Sequence, residues 1–193
     1  MASWRPAFQA TNVHLASEAG AGATSLALHM AKRVLEDGGR VLWAAPEMPD
    51  PSRFSQVLGG LPPTVATRFH AMNLVGRMDL VTNSLLQAAT SLPGVGLVVM
   101  DDWAPTTGRI PKASFDALSG LASGLGEITL LATTKLGTDM EAEDGYRVRS
   151  EDRLIDAGFS SWTLTVQPKG VRRLEGPDMT QHVRVVDKGL DAV

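Results

Sequence analysis

Three short runs are apolar almost without interruption: RVLWAA at residues 40–45, GLVVM at 96–100 and ITLLAT at 128–133. A strand with one wet face alternates apolar and polar residues, whereas a continuous run fits a strand covered on both faces, as in a parallel sheet. Helical periodicity lies between these runs. In residues 24–36 (TSLALHMAKRVLE), Leu26, Met30 and Val34 recur at four-residue spacing, with Ala27 and Ala31 beside them. Lys32, Arg33 and Glu36 supply its polar side, and Asp37-Gly38-Gly39 ends it, glycine being free to take the left-handed cap. Residues 52–58, 78–91 and 114–124 read as further helices, and 11–16 and 68–74 as further strands. This alternation predicts an α/β fold with a mostly parallel central sheet flanked by helices.

Residues 137–158 break the rhythm. Asp139, Glu141, Glu143 and Asp144 make their first half acidic and YRVRSEDR follows, so an exposed mobile loop is expected. Residues 161–167, 171–175 and 182–186 then alternate, with PKG and GPD as turns, and predict antiparallel strands at the C-terminal end. No composition shift marks a boundary, so residues 1–193 are expected to form a single domain with its core at about 11–190.

The formal charge of -3 lacks the basic excess of a protein that grips nucleic acid alone. With no cysteine, disulfides and thiolate metal sites are excluded, which suits a reducing cytoplasm. His14, His29, His70 and His182 lack metal-motif spacing and read as structural or surface groups. No run approaches the roughly 18 apolar residues of a membrane span, nor does the N-terminus have a signal-peptide core, so a cytoplasmic location without a membrane partner is expected.

Residues 17–25 read SEAGAGATS, between a strand and a helix. A phosphate-binding loop, G-x-x-x-x-G-K-[ST], needs small residues so that backbone N–H groups can face an anion at a helix start. Aligned on Gly22 and Thr24, the chain has Ser17 at the first glycine, Gly20 within the loop, Ala23 in place of the lysine, and Ser25 next. A second element, LVVMDD at 97–102, is an apolar strand ending in Asp101, where an acid would orient Mg²⁺ together with Thr24. Glu47, just past RVLWAA, is the candidate general base for an attacking water.

The order and spacing of these elements resemble the RecA/RadA/RadB recombinase superfamily. GAGATSLALHMAKRVLEDGGRVLWAAPEMPDPSRF is similar to its core, with Glu47 and Pro51-Ser52-Arg53-Phe54 at the matching positions. LVVMDD matches the Walker B strand, and ITLLATTK the later strand whose polar end senses the γ-phosphate, here Thr134 and Lys135. The tail is similar to the closing strands of RadB and KaiC-like proteins, with Arg184, Asp187 and Gly189 in its final phrase. The resemblance implies a RecA-like P-loop NTPase core, ATP with Mg²⁺ as ligand, and a recombinase partner with single-stranded DNA nearby.

The departures change what is expected. Ala23 removes the lysine, and each charge-assisted hydrogen bond is worth about 1.5–3 kcal/mol, so nucleotide affinity falls by roughly tenfold or more. Glu18 adds a carboxylate where a triphosphate would be repelled. The ATP/Mg²⁺ site is therefore expected to be weak or absent and the chain a pseudo-ATPase. For DNA, the candidates are Arg109 and Lys112 after the Walker B strand, and the cluster Lys169, Arg172 and Arg173. No Phe-x-x-Ala plug for self-assembly is present. Three functions fit: a catalytically degenerate RadB-like accessory protein of recombination and repair, an atypical ATPase of the RecA/KaiC-like class, or a nucleotide-free regulatory RecA-fold subunit.

Overall fold

The middle strands of the central sheet are buried on both sides because helices cover both sides. The computed structural model describes residues 4–141 and 145–193. Strand β1 (Asn12–Ser17) leads through the glycine-rich loop into α1 (Ala23–Glu36). Next come β2 (Arg40–Ala45), α2 (Pro51–Leu58), the single turn α3 (Pro63–Ala66), β3 (Phe69–Asn73), α4 (Met78–Ser91), β4 (Val95–Met100), α5 (Lys112–Gly124) and β5 (Thr129–Lys135). A short pair follows, β6 (Gly137–Thr138) and β7 (Tyr146–Arg147), and then α6 (Glu151–Asp156). The chain ends in β8 (Ser160–Val166), β9 (Val171–Glu175), β10 (Thr180–Val186) and β11 (Gly189–Ala192).

The large sheet has nine strands in the order β11-β10-β9-β8-β1-β5-β4-β2-β3. From β3 through β8 every neighbouring pair is parallel, and β8 to β11 pair antiparallel. Alternate residues divide the core in two, as the two-residue period of a strand requires. On one face Val13, Leu15, Val41, Trp43, Leu97, Val99 and Leu131 pack with Leu26, Ala27 and Ala31 of α1. On the other, Leu42, Ala44, Val98, Met100, Leu130 and Ala132 pack with Leu85 of α4 and with Leu118 and Leu121 of α5. The expected mostly parallel sheet with antiparallel C-terminal strands is the observed architecture.

Two features go beyond the expectations. β8 pairs antiparallel with β9 as expected, and on its other side it pairs parallel with β1. Residues 137–158 are more than a loop: β6 and β7 pair antiparallel, and α6 buries Leu154 completely among the α4–α5 side of the core. One buried leucine among charges leaves no helical period to read. Of the acidic run, Glu143 and Asp144 lie outside the described residues.

The C-terminal strands close over α1. Leu190 N donates to His29 Nδ1 at 3.2 Å, so the ring's hydrogen is on Nε2, which donates to the Trp4 carbonyl at 2.8 Å. One neutral imidazole on α1 thus fastens β11 and the N-terminal segment. Among the described residues no helix is long and apolar enough to cross a membrane.

Candidate functional site: the loop, Asp101 and their cleft

The C-terminal ends of parallel strands are where open α/β sheets place ligands. Here β1 ends in the glycine-rich loop, β4 in Asp101 and Asp102, β5 in Lys135, and β2 is followed by Glu47. The loop turns at Gly20 (φ 73°) and Gly22 (φ 101°), both left-handed, and α1 begins at Ala23 with no side-chain cap. The N–H groups of its first turn therefore have no intrahelical acceptor.

Asp101 joins the loop to the sheet. Thr24 on α1 donates its hydroxyl to Asp101 Oδ2 at 2.9 Å, and Thr133 on β5 donates to Oδ1 at 2.6 Å. The Thr133 oxygen in turn accepts from Asp102 N at 2.9 Å, and Lys135 Nζ pairs with Asp102 Oδ2 at 3.1 Å. Asp101 is only 4% exposed. Burial raises its pKa above the usual carboxylate value, and the hydroxyls of Thr133 and Thr24 oppose that shift in part.

A cleft of about 560 Å³ opens beside this cluster, lined by Thr24, Glu47, Asp50, Arg53, Asp101 and Asp102 among others. Glu47 is exposed at its mouth. Ala23 is 4% exposed and packs into the α1 side of the core. The donors fit a hydrated divalent cation at Thr24 and Asp101, and offer no lysine to a triphosphate. Among the described residues, no group of three or more His, Cys, Asp or Glu is placed to hold a metal ion.

Several expected residues stand elsewhere. Ser17 is buried at the end of β1, its hydroxyl facing the Thr134 carbonyl at 3.5 Å. Thr134 points to the opposite face of the sheet, where its Oγ1 lies 3.1 Å from His14 Nε2. It is Thr133 that reaches Asp101. Glu18 does not face the cleft: its carboxylate accepts Val166 N at 2.8 Å and its own N–H donates to the Leu164 carbonyl. The expected repulsion of a triphosphate by Glu18 thus gives way to a contact with the last residue of β8. Ser25 Oγ accepts from Arg53 Nε at 2.8 Å, a contact that nothing in the sequence signals.

The basic cluster also separates. Arg172 and Arg173 are neighbours on β9 and face opposite sides. Arg172 Nε donates to the Ala21 carbonyl in the loop at 2.9 Å, and Arg173 pairs with Glu175. Lys169 stands exposed on the β8–β9 turn with φ 61°. Lys112 pairs with Asp116 one turn along α5. Arg109 is exposed and lines a second cleft of about 750 Å³ with Thr106, Thr107, Thr138, Arg147 and Arg149. Arg149 fastens one wall of it by donating to the Pro105 and Gly108 carbonyls.

This fold has a solved counterpart. The crystal structure of the RadB recombinase superposes with a TM-score of 0.70, over 96% of this chain and 92% of that one, at 19% identity. The chain has a RecA-like fold. No protein-family model matches the sequence, and no curated protein matches it. The RecA-like core accounts for β5 standing between β1 and β4, which is what lets a β5 threonine reach the β4 aspartate.

Proposed function

We propose that this chain is a RadB-like accessory protein of DNA recombination and repair with a degenerate ATP site, acting by binding a recombinase partner and single-stranded DNA. The observation that carries it is the contrast at two adjacent residues. Thr24 keeps its contact to Asp101, while Ala23, at the lysine position, is buried in the core. The cation end of a nucleotide site is retained and its phosphate lysine is gone. Bound Mg²⁺ would neutralise phosphate charge, and Thr24 and Asp101 are the residues that would hold it or its water shell. Glu47, which lines the cleft, is the residue this reading assigns as the vestigial base. Turnover is slow in this reading because transition-state charge lacks its usual lysine.

For DNA, Arg109, Arg147 and the threonine hydroxyls of the second cleft offer contacts that suit a phosphate backbone, against the opposing carboxylates Glu151 and Asp152 of the same lining. The Lys169 turn offers a single exposed cation rather than a patch. Calorimetric titration of MgATP into the wild type and into Ala23→Lys tests the nucleotide site. Weak binding that tightens at least about tenfold with the lysine is expected. Equal absence of binding in both would remove the nucleotide from the reading and favour the regulatory subunit. Rapid phosphate release by the wild type would favour the atypical ATPase. Arg109→Ala is expected to weaken single-stranded DNA binding and Lys169→Ala to leave it unchanged, with the reverse result moving the DNA surface to the β8–β9 turn.

A further inference from the structure

The cleft beside Thr24 and Asp101 carries the carboxylates Glu47, Asp50, Asp101 and Asp102, and Arg53 is the one cation that lines it among the described residues. Arg53 projects from α2 and is half-buried. Its Nε donates to Ser25 Oγ at 2.8 Å, next to Thr24. Nη1 donates to the Val186 carbonyl at 2.8 Å, with Gln56 Oε1 at 3.1 Å, and Nη2 donates to the Gly189 carbonyl at 3.0 Å. Every one of these acceptors is neutral. No carboxylate of the described residues lies within ion-pair distance of this guanidinium. The Asp187 carboxylate acts on this partly desolvated guanidinium only through space, from beyond ion-pair distance, whereas such groups are normally paired with an anion directly. A guanidinium fork is also suited to phosphate oxygens, which it holds more strongly than carbonyls.

We propose that Arg53 is the anion-binding group of this cleft, taking a phosphate oxygen of a polyphosphate ligand in place of the lysine missing at position 23, and that this frees the β10–β11 turn it now holds. The inference rests on the reading of the cleft as a nucleotide site. The exchange is local: a charged acceptor replaces the carbonyls of Val186 and Gly189, and the turn loses its tie to α2. Arg53 would then report occupancy of the cleft to the C-terminal hairpin.

The test titrates two probes with Mg²⁺, ATP and inorganic tripolyphosphate, into the wild type, Arg53→Gln and Arg53→Lys. The proposal expects the wild type to bind both, Arg53→Gln to lose about tenfold or more for both, and Arg53→Lys to keep part of the affinity. A loss confined to ATP would assign Arg53 to the base and overturn the phosphate role, as would unchanged affinity, equal loss in both variants, or a wild type that binds ATP alone. In each of those cases the nucleotide-site reading stands. A wild type that binds neither probe overturns both. If Arg53→Gln fails to fold, hydrogen exchange of residues 183–193 in the unaltered protein decides. Faster exchange on adding Mg²⁺ and tripolyphosphate supports release of the turn, and unchanged or slower exchange overturns it.

Discussion

Thr133 donates its hydroxyl to Asp101 across 2.6 Å, joining the middle strand β5 to the acid at the end of β4. The carboxylate it serves is 4% exposed, and burial raises its pKa. Thr133→Val removes that donor and leaves one carboxylate oxygen buried without it. A loss of about 1–3 kcal/mol in stability is expected, because the stranded acceptor keeps its desolvation cost. Urea unfolding at neutral pH measures it, and a change below about 0.5 kcal/mol would contradict this account of the cluster.

Asp101→Asn should move stability in the opposite direction. A folded-state pKa raised above the unfolded one means that the native state holds its proton longer. The stability so contributed is present below the unfolded value of about 3.9 and is lost as pH rises through the folded value. At neutral pH the wild type therefore carries an unfavourable buried charge that the amide lacks. The Asp101→Asn protein is expected to melt higher by about 2–4 °C per kcal/mol gained, with the advantage shrinking toward pH 4. The same variant should lose any stabilisation by Mg²⁺. A variant that melts lower than wild type at pH 7–8 would show that the charge is well compensated.

Two buried histidines contribute to the acid sensitivity of the fold. Burial lowers the pKa of His14 to about 3, with the charge of Arg149 adding to the effect. Burial is also the main cause of the lowered pKa of His29. In both cases the unfolded chain binds a proton that the folded chain refuses. Their contribution is complete above about pH 6.5 and falls as pH drops below it, at about 1.4 kcal/mol per pH unit for each group until its folded pKa is reached. His29→Gln should flatten the slope by up to one proton. Denaturant unfolding between pH 7 and 4.5 reads this directly, and an unchanged slope would mean that His29 titrates normally in the fold.

How far the site could be read from the sequence follows from which contacts are local. Asp101 was legible because an apolar run ends on it, and Gly22 and Thr24 because loop and helix start share one short stretch. The choice between Thr133 and Thr134 was not. Adjacent strand residues face opposite sides, and which one meets Asp101 depends on β5 lying between β1 and β4. Glu18 looked like part of the cradle because its partner, Val166, comes from a distant strand. The apolar runs announced the parallel sheet, yet the parallel pairing of β8 with β1 was hidden, since a half-buried alternating strand reads the same in either direction. Arg53 was visible as a residue of α2, whereas its acceptors at 186 and 189 come from the far end of the chain.

Gly22 ties the loop to that far end by geometry alone. Its φ of 101° disfavours any side chain, and an added Cβ would meet Val185 Cγ2 at 3.0 Å. Gly22→Ala therefore combines backbone strain of about 1–3 kcal/mol with pressure on β10. Val185→Ala opens the space without changing the backbone. In a double-mutant cycle the second substitution should recover the steric part of the loss and leave the backbone part, giving a coupling of about 0.5–1 kcal/mol. Chemical unfolding of the four proteins measures that coupling. A value near zero would mean that Val185 yields freely and that the hairpin lies on the loop without pressing on it. A recovery to full wild-type stability would mean that the left-handed backbone costs nothing at this position.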